Sequence, residues 1–175
     1  MRIGQTGGVL RLDKDLHGDP QAIKGMLAHL YGIHFNLLDD CKDEQASIGN
    51  MATWTDLALY QVALHAVANK YQMPDLAKQT QDQLRGRYAT LMTESADNVF
   101  KVAEAVYLKY PSEATALRHD IVEQLTNQPS VVEDDEKNKV RCSKMPDLVC
   151  EMLKVVAQKD RENEWAVYRM GRSSR

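Results

Sequence analysis

Residues 57–76 read Leu57-Ala58-Leu59-Tyr60-Gln61-Val62-Ala63-Leu64-His65-Ala66-Val67-Ala68-Asn69-Lys70-Tyr71-Gln72-Met73-Pro74-Asp75-Leu76. Leu57, Tyr60, Leu64, Val67, Ala68 and Tyr71 recur at spacings of three and four, which gathers them on one side of an α-helix. Pro74 lacks the amide hydrogen and crowds the preceding turn, so the helix stops there. Asp75 opens the next helix, to about Tyr88. A long apolar helix, a proline break and an immediate restart imply a mostly α chain with short connections.

The same grammar extends in both directions. Upstream, Asp19 can cap a helix whose first position is Pro20, and Ile23, Met26, Leu27, Leu30 and Tyr31 form its apolar stripe. Residues 38–56 carry Asp39, Asp40, Lys42, Asp43 and Glu44 with few aliphatics, which predicts an exposed loop. Val9–Leu12 is the only substantial strand signal, behind a glycine-bearing flexible terminus, residues 1–8. Downstream, residues 97–110 place Val99, Val102, Ala103, Val106, Tyr107 and Tyr110 on one face, and Pro111 ends that helix. Ser112 is the expected cap of the next helix, which buries Ala114, Leu117, Ile121 and Leu125. Residues 126–146, with the acidic run Glu133–Glu136 followed by Lys137, Lys139, Arg141 and Lys144, read as a polar, mobile linker. A helix from Asp147 to about Asn163 carries Leu148, Met152, Val155 and Val156, followed by Trp165, Val167 and Tyr168 and a basic tail to residue 175 with Arg169, Arg172 and Arg175. The expected architecture is one domain, a helical bundle with a short strand.

Composition narrows the function. Of 175 residues, 43% are apolar, enough for one core. The net charge of −3, from 22 basic and 25 acidic residues, offers no electrostatic footprint for nucleic acid. Cys41, Cys142 and Cys150 are odd in number and lack C-x-x-C pairing, which points to free thiols in a reducing compartment, the cytoplasm or nucleus. No stretch reaches the roughly 18 apolar residues of a membrane span, and no membrane association is expected.

Candidate chemistry is sparse. His29 and His34 are five apart, off the helical spacing that pairs ligands, and His17, His65 and His119 are isolated, so no metal site is expected. Cys142 lies beside Arg141 and Lys144, a setting for an oxidisable thiol, but no base for a nucleophile can be assigned. Gly7-Gly8 lacks phosphate-loop spacing. Asp39-Asp40 and Asp134-Asp135 sit in polar runs where solvent keeps them ionised. The methionines are core fillers or the lining of an adaptable groove. No catalytic residue and no cofactor is expected, and the chain reads as non-enzymatic.

Two separated signatures carry a family resemblance. Val9-Leu10-Arg11-Leu12, then Asp19-Pro20-Gln21-Ala22-Ile23 opening a helix that closes on His29-Leu30-Tyr31-Gly32, resembles the strand and leucine-tyrosine helix of BTB/POZ domains. Val67-Ala68-Asn69-Lys70-Tyr71-Gln72-Met73-Pro74-Asp75-Leu76 is similar to the family's second signature. Phe100–Tyr110 and Leu117–Val122 resemble the helical extension of fungal BTB proteins. The resemblance covers residues 9–125 and implies the C-terminal part of a BTB/POZ domain, acting as an adaptor or oligomerisation module whose partners are other proteins or copies of itself. Family domains begin with strands and a helix ahead of this segment, so the resemblance implies an N-terminally truncated form without much of the family's sheet and dimer interface.

In members that recruit cullin-type ubiquitin ligases, the turn after the leucine-tyrosine helix carries an apolar-x-glutamate motif. Here Ile33-His34-Phe35-Asn36-Leu37-Leu38 has no glutamate, so cullin docking does not follow. Phe35, Leu37 and Leu38 are the candidate partner-binding residues, or else close the core beneath the loop. A rival reading is a helical-repeat scaffold, from the echo of Ala66-Val67…Lys70-Tyr71 at Ala105-Val106…Lys109-Tyr110, 39 residues on.

Overall fold

The computed structural model describes residues 19–33, 53–127 and 136–172. They form seven α-helices: α1 (Pro20–Leu30), α2 (Trp54–Lys70), α3 (Pro74–Glu94), α4 (Ala96–Glu104), α5 (Thr115–Asn127), α6 (Glu136–Lys144) and α7 (Pro146–Arg172). A π-helical turn, Ala105–Lys109, continues α4. Among the described residues there is no strand, and Val9–Leu12 lies outside them.

α2 is the centre. Every residue from Gln61 to Ala68 is buried, not the single stripe that periodicity picks out. Val62, Ala63 and Ala66 complete the circumference, and a helix apolar on all sides belongs inside. α1, α3 and α4 pack around it.

The helix also starts before the expected Leu57. Thr53 Oγ1 accepts from the Asp56 amide at 3.1 Å and Asp56 Oδ2 accepts from the Thr53 amide at 2.9 Å. This reciprocal capping box satisfies two free amides, and its signature, Thr-x-x-Asp, stands in the sequence just ahead of the apolar run. Residues 53–56 are therefore helix cap and first turn, not exposed loop.

α1 and α2 end alike. The Ile33 amide donates to Ala28 O and Gly32 to His29 O; the Met73 amide donates to Ala68 O and Gln72 to Asn69 O. Both are Schellman turns, which need a left-handed residue just past the cap. Gly32 fills that position at φ 65°, but in the second turn it is Gln72, at φ 56°. A side chain there costs roughly 1 kcal/mol. Gln72→Gly is expected to stabilise the chain by about 1 kcal/mol, a melting increase of about 2–4 °C. An unchanged or lower melting temperature would contradict the turn assignment.

α2 and α3 form an antiparallel hairpin held by a polar seam. Gln61 donates to Gln83 at 3.1 Å. His65 Nδ1 lies 2.9 Å from Ala77 O, and since a carbonyl only accepts, Nδ1 carries the proton. Nε2 then accepts from Asn69 Nδ2 at 2.9 Å, and Asn69 also donates to Glu113 O at 2.6 Å. A proton on Nε2 would face the Asn69 amide hydrogens. Burial pushes the His65 pKa below its usual 6.5, against smaller raising effects of the Ala77 carbonyl and Asp120. Above pH 6.5 the ring is neutral in both folded and unfolded chains. Below it the unfolded chain takes up the proton first, so stability falls as pH drops from 6.5 towards the folded pKa. We expect this residue to contribute a loss of stability as pH falls below 6.5, and the slope to flatten in His65→Gln. Equal slopes would remove His65 from the account.

The face expected on residues 97–110 is buried in full: Val99, Val102, Ala103, Val106, Tyr107 and Tyr110. The Tyr110 amide donates to Ala105 O at 2.9 Å, the i to i+5 bond of the π turn. The two segments of the 39-residue echo thus differ in backbone, one α-helical and one π-helical. α5 buries Ala114, Leu117, Ile121 and Leu125, but Ser112 is not its cap. The helix starts at Thr115, whose hydroxyl donates to Ser112 O at 3.0 Å.

Residues 136–144 correct the linker reading. They form α6, with Asn138, Cys142 and the following Met145 buried. Glu136 in the first turn and Arg141 and Lys144 in the last complement the helix dipole. Arg141 pairs with Asp97 and, at 3.3 Å, with Glu104, clamping α6 to α4. The charges that read as solvated linker are the docking bonds of a short helix.

α7 runs parallel to α5. Arg118 Nη1 meets Glu151 at 3.6 Å near the start of both, and Lys159 Nζ donates to Asn127 Oδ1 at 2.7 Å where α5 ends. Arg169 and Arg172 belong to this helix rather than to a tail.

Candidate functional site

α1 begins as its sequence implies. The Asp19 side chain accepts from the Gln21 amide at 3.1 Å, and Pro20 takes the first helical position. The buried face differs from the expected stripe. It is made of Ala22, Gly25, Met26 and Ala28, so of the five stripe residues Met26 alone is fully buried. The reason is close approach to α2: a Cβ at Gly25 would stand 2.0 Å from Tyr60 Oη and 3.2 Å from its Cζ. Small residues let the backbones meet, and the large ones turn outward.

Leu27 is 36% exposed, Leu30 57%, Tyr31 78% and Ile33 61%. Four large apolar side chains within seven residues form a ridge at the C-terminal end of α1. Beside it lies a shallow pocket of about 340 Å³ lined by His29, Leu30, Met73, Pro74, Asp75 and Leu76. Residues of both sequence signatures, far apart in the chain, line this one depression. Phe35, Leu37 and Leu38 lie outside the described residues. The sequence signal for the outward ridge was the small set Ala22, Gly25 and Ala28 at helical spacing, which marks a close-packed face.

A second concavity, about 620 Å³, opens between α1, α2 and the π turn. Leu59, Tyr60, Leu108 and Tyr110 supply its apolar walls, and Asp19, Asp56 and Glu104 its carboxylates. Leu108 is 53% exposed.

Other polar side chains join helices. Buried Asp120 on α5 accepts from Arg85 Nη2 at 2.7 Å and Gln81 Nε2 at 2.9 Å, both on α3. Tyr107 donates to Glu151 Oε2 at 2.5 Å, with the Arg118 guanidinium 4.7 Å above its ring. His29 and His119 are exposed and His65 buried. Among the described residues no three His, Cys, Asp or Glu side chains are grouped to hold a metal ion. Cys142 is buried, which pushes its thiol pKa up and disfavours the reactive thiolate despite Arg141 and Lys144; Cys150 is exposed. Met26 and Met145 are core residues, and Met73, Met92 and Met152 pack against it. No described helix is long and apolar enough to cross a membrane.

No protein-family model matches the chain, and neither a curated protein nor a solved structure is found similar to it.

Proposed function

We propose that the chain is a non-enzymatic protein–protein interaction module of BTB/POZ type, working in the cytoplasm or nucleus and binding a protein partner through the ridge at the end of α1. One observation carries this reading: Leu30, Tyr31 and Ile33 are each more than half exposed at the end of a helix that buries its small residues instead. Contiguous apolar surface costs solubility and is characteristic of sites of association. The ridge lies within the first BTB-like signature, and the adjoining pocket is shared with the second. Phe35, Leu37 and Leu38 follow the ridge directly in sequence, where BTB adaptors carry partner contacts.

The test is Leu30→Asp with Tyr31→Asp. Both side chains are exposed, so the melting temperature is expected to stay within about 2 °C. Quantitative affinity purification should show a recurring protein held by the unaltered chain and reduced about tenfold or more by the double variant. Equal recovery by both chains would refute the reading.

A further inference from the structure

We propose that the groove between α1, α2 and the π turn receives the C-terminal end of α7 from a second copy of the chain, joining copies head to tail. The inference is independent of the α1 ridge, whose residues do not line this groove.

Charge is the first ground. Asp19, Asp56 and Glu104 stand around the apolar walls formed by Leu59, Tyr60 and Leu108. Lys109, the only basic lining residue among the described residues, lies over the Tyr110 ring, 5.1 Å from its centre, and Arg141 already pairs with Glu104 at 3.3 Å, so the negative charge left to an occupant is that of Asp19 and Asp56. The fitting occupant therefore brings cations together with apolar side chains. The C-terminal end of α7 has that composition, Trp165-Ala166-Val167-Tyr168-Arg169-Met170-Gly171-Arg172, with Arg175 beyond.

Direction is the second ground. The groove adjoins the start of α5, since Tyr110 lines it and its carbonyl accepts from the Ala114 amide at 3.0 Å. α7 passes Arg118 at Glu151 and leaves the end of α5 at Lys159. From Asp160 to Asn163 every side chain is exposed. At 1.5 Å per residue, the 21 steps from Glu151 to Arg172 carry the helix end about 30 Å away from the groove of its own copy. The basic end thus cannot fold back as a helix, and a second copy can present it. Groove and helix end are different patches, so the contact is heterologous and leaves one of each free at every step.

Sedimentation velocity on the full chain tests this. The unaltered protein should form a concentration-dependent series of oligomers, weakened about tenfold between about 50 mM and about 500 mM salt. Leu108→Lys alters the groove, and Arg169→Glu with Arg172→Glu and Arg175→Glu alters the helix end; each chain alone should be monomeric. Mixed one to one, they should form a dimer and nothing larger, because each supplies the surface the other lacks. Gln21→Arg, at the groove rim, should repeat the Leu108→Lys result if that variant is destabilised. A monomeric unaltered chain, variants that associate as it does, or a mixture that stays monomeric overturns the proposal.

Discussion

Gly25→Ala is expected to destabilise the protein by about 2 kcal/mol, lowering the melting temperature by about 4–8 °C. Alanine in a helix interior ordinarily gains roughly 0.5–1 kcal/mol over glycine, so the expected sign is the reverse of what helix propensity gives. The cause is specific. The new Cβ would stand 2.0 Å from Tyr60 Oη, and Leu64 Cδ1, at 3.5 Å, closes the other side. Either Tyr60 swings out of the contact or α1 lifts from α2. In Tyr60→Phe the clashing oxygen is gone and the ring's approach is that of Cζ at 3.2 Å. Adding Gly25→Ala to that background should therefore cost at least 1 kcal/mol less than in the original chain, read as the coupling of a double-mutant cycle. Additive costs would mean that α1 does not seat on its small face, and the ridge would lose its structural basis.

Tyr107→Phe is expected to cost about 2 kcal/mol, as befits a hydrogen bond to a charged acceptor. Tyr107 Oη donates to Glu151 at 2.5 Å, and burial with that carboxylate raises the phenol pKa well above its ordinary value, so the hydroxyl stays a donor across the working range. The ring is retained in phenylalanine, and Arg118 keeps a face to stack on. What is lost is the bond between the π turn and the start of α7. Amide hydrogen exchange should accelerate at Asp147–Val155 while α2 stays protected. Unchanged exchange in α7 would show that Leu148 and Met145 hold that helix without the tyrosine.

Much of the helical layout follows from residues that any reader of the chain can see. Asp19-Pro20 and Pro74 mark two helix starts, and the Val99 to Tyr110 face and the Ala114 to Leu125 set are the buried ones. The departures have distinct physical causes. Thr53 and Asp56 were hidden in a polar stretch because a cap is polar by function. α6 looked like linker because its stabilising contacts are charges, and Arg141 shows its role only once Asp97 and Glu104 are beside it. Periodicity found the apolar residues of α1 but could not say which side faced in. That choice belongs to the distance between α1 and α2, set by Gly25 against Tyr60, a contact 35 residues apart in the chain. The ridge was therefore readable as composition and not as surface. The groove could not be read at all, since its lining comes from α1, α2 and the end of α4.

The most direct test of the ridge as the working surface is site-specific photo-crosslinking in the native cellular setting, with the crosslinking side chain at Tyr31 and, as a control, at exposed Gln79 on α3. The account predicts a discrete intermolecular protein adduct from position 31 that is absent from position 79. Equal adducts at both positions, or none at 31, would contradict it.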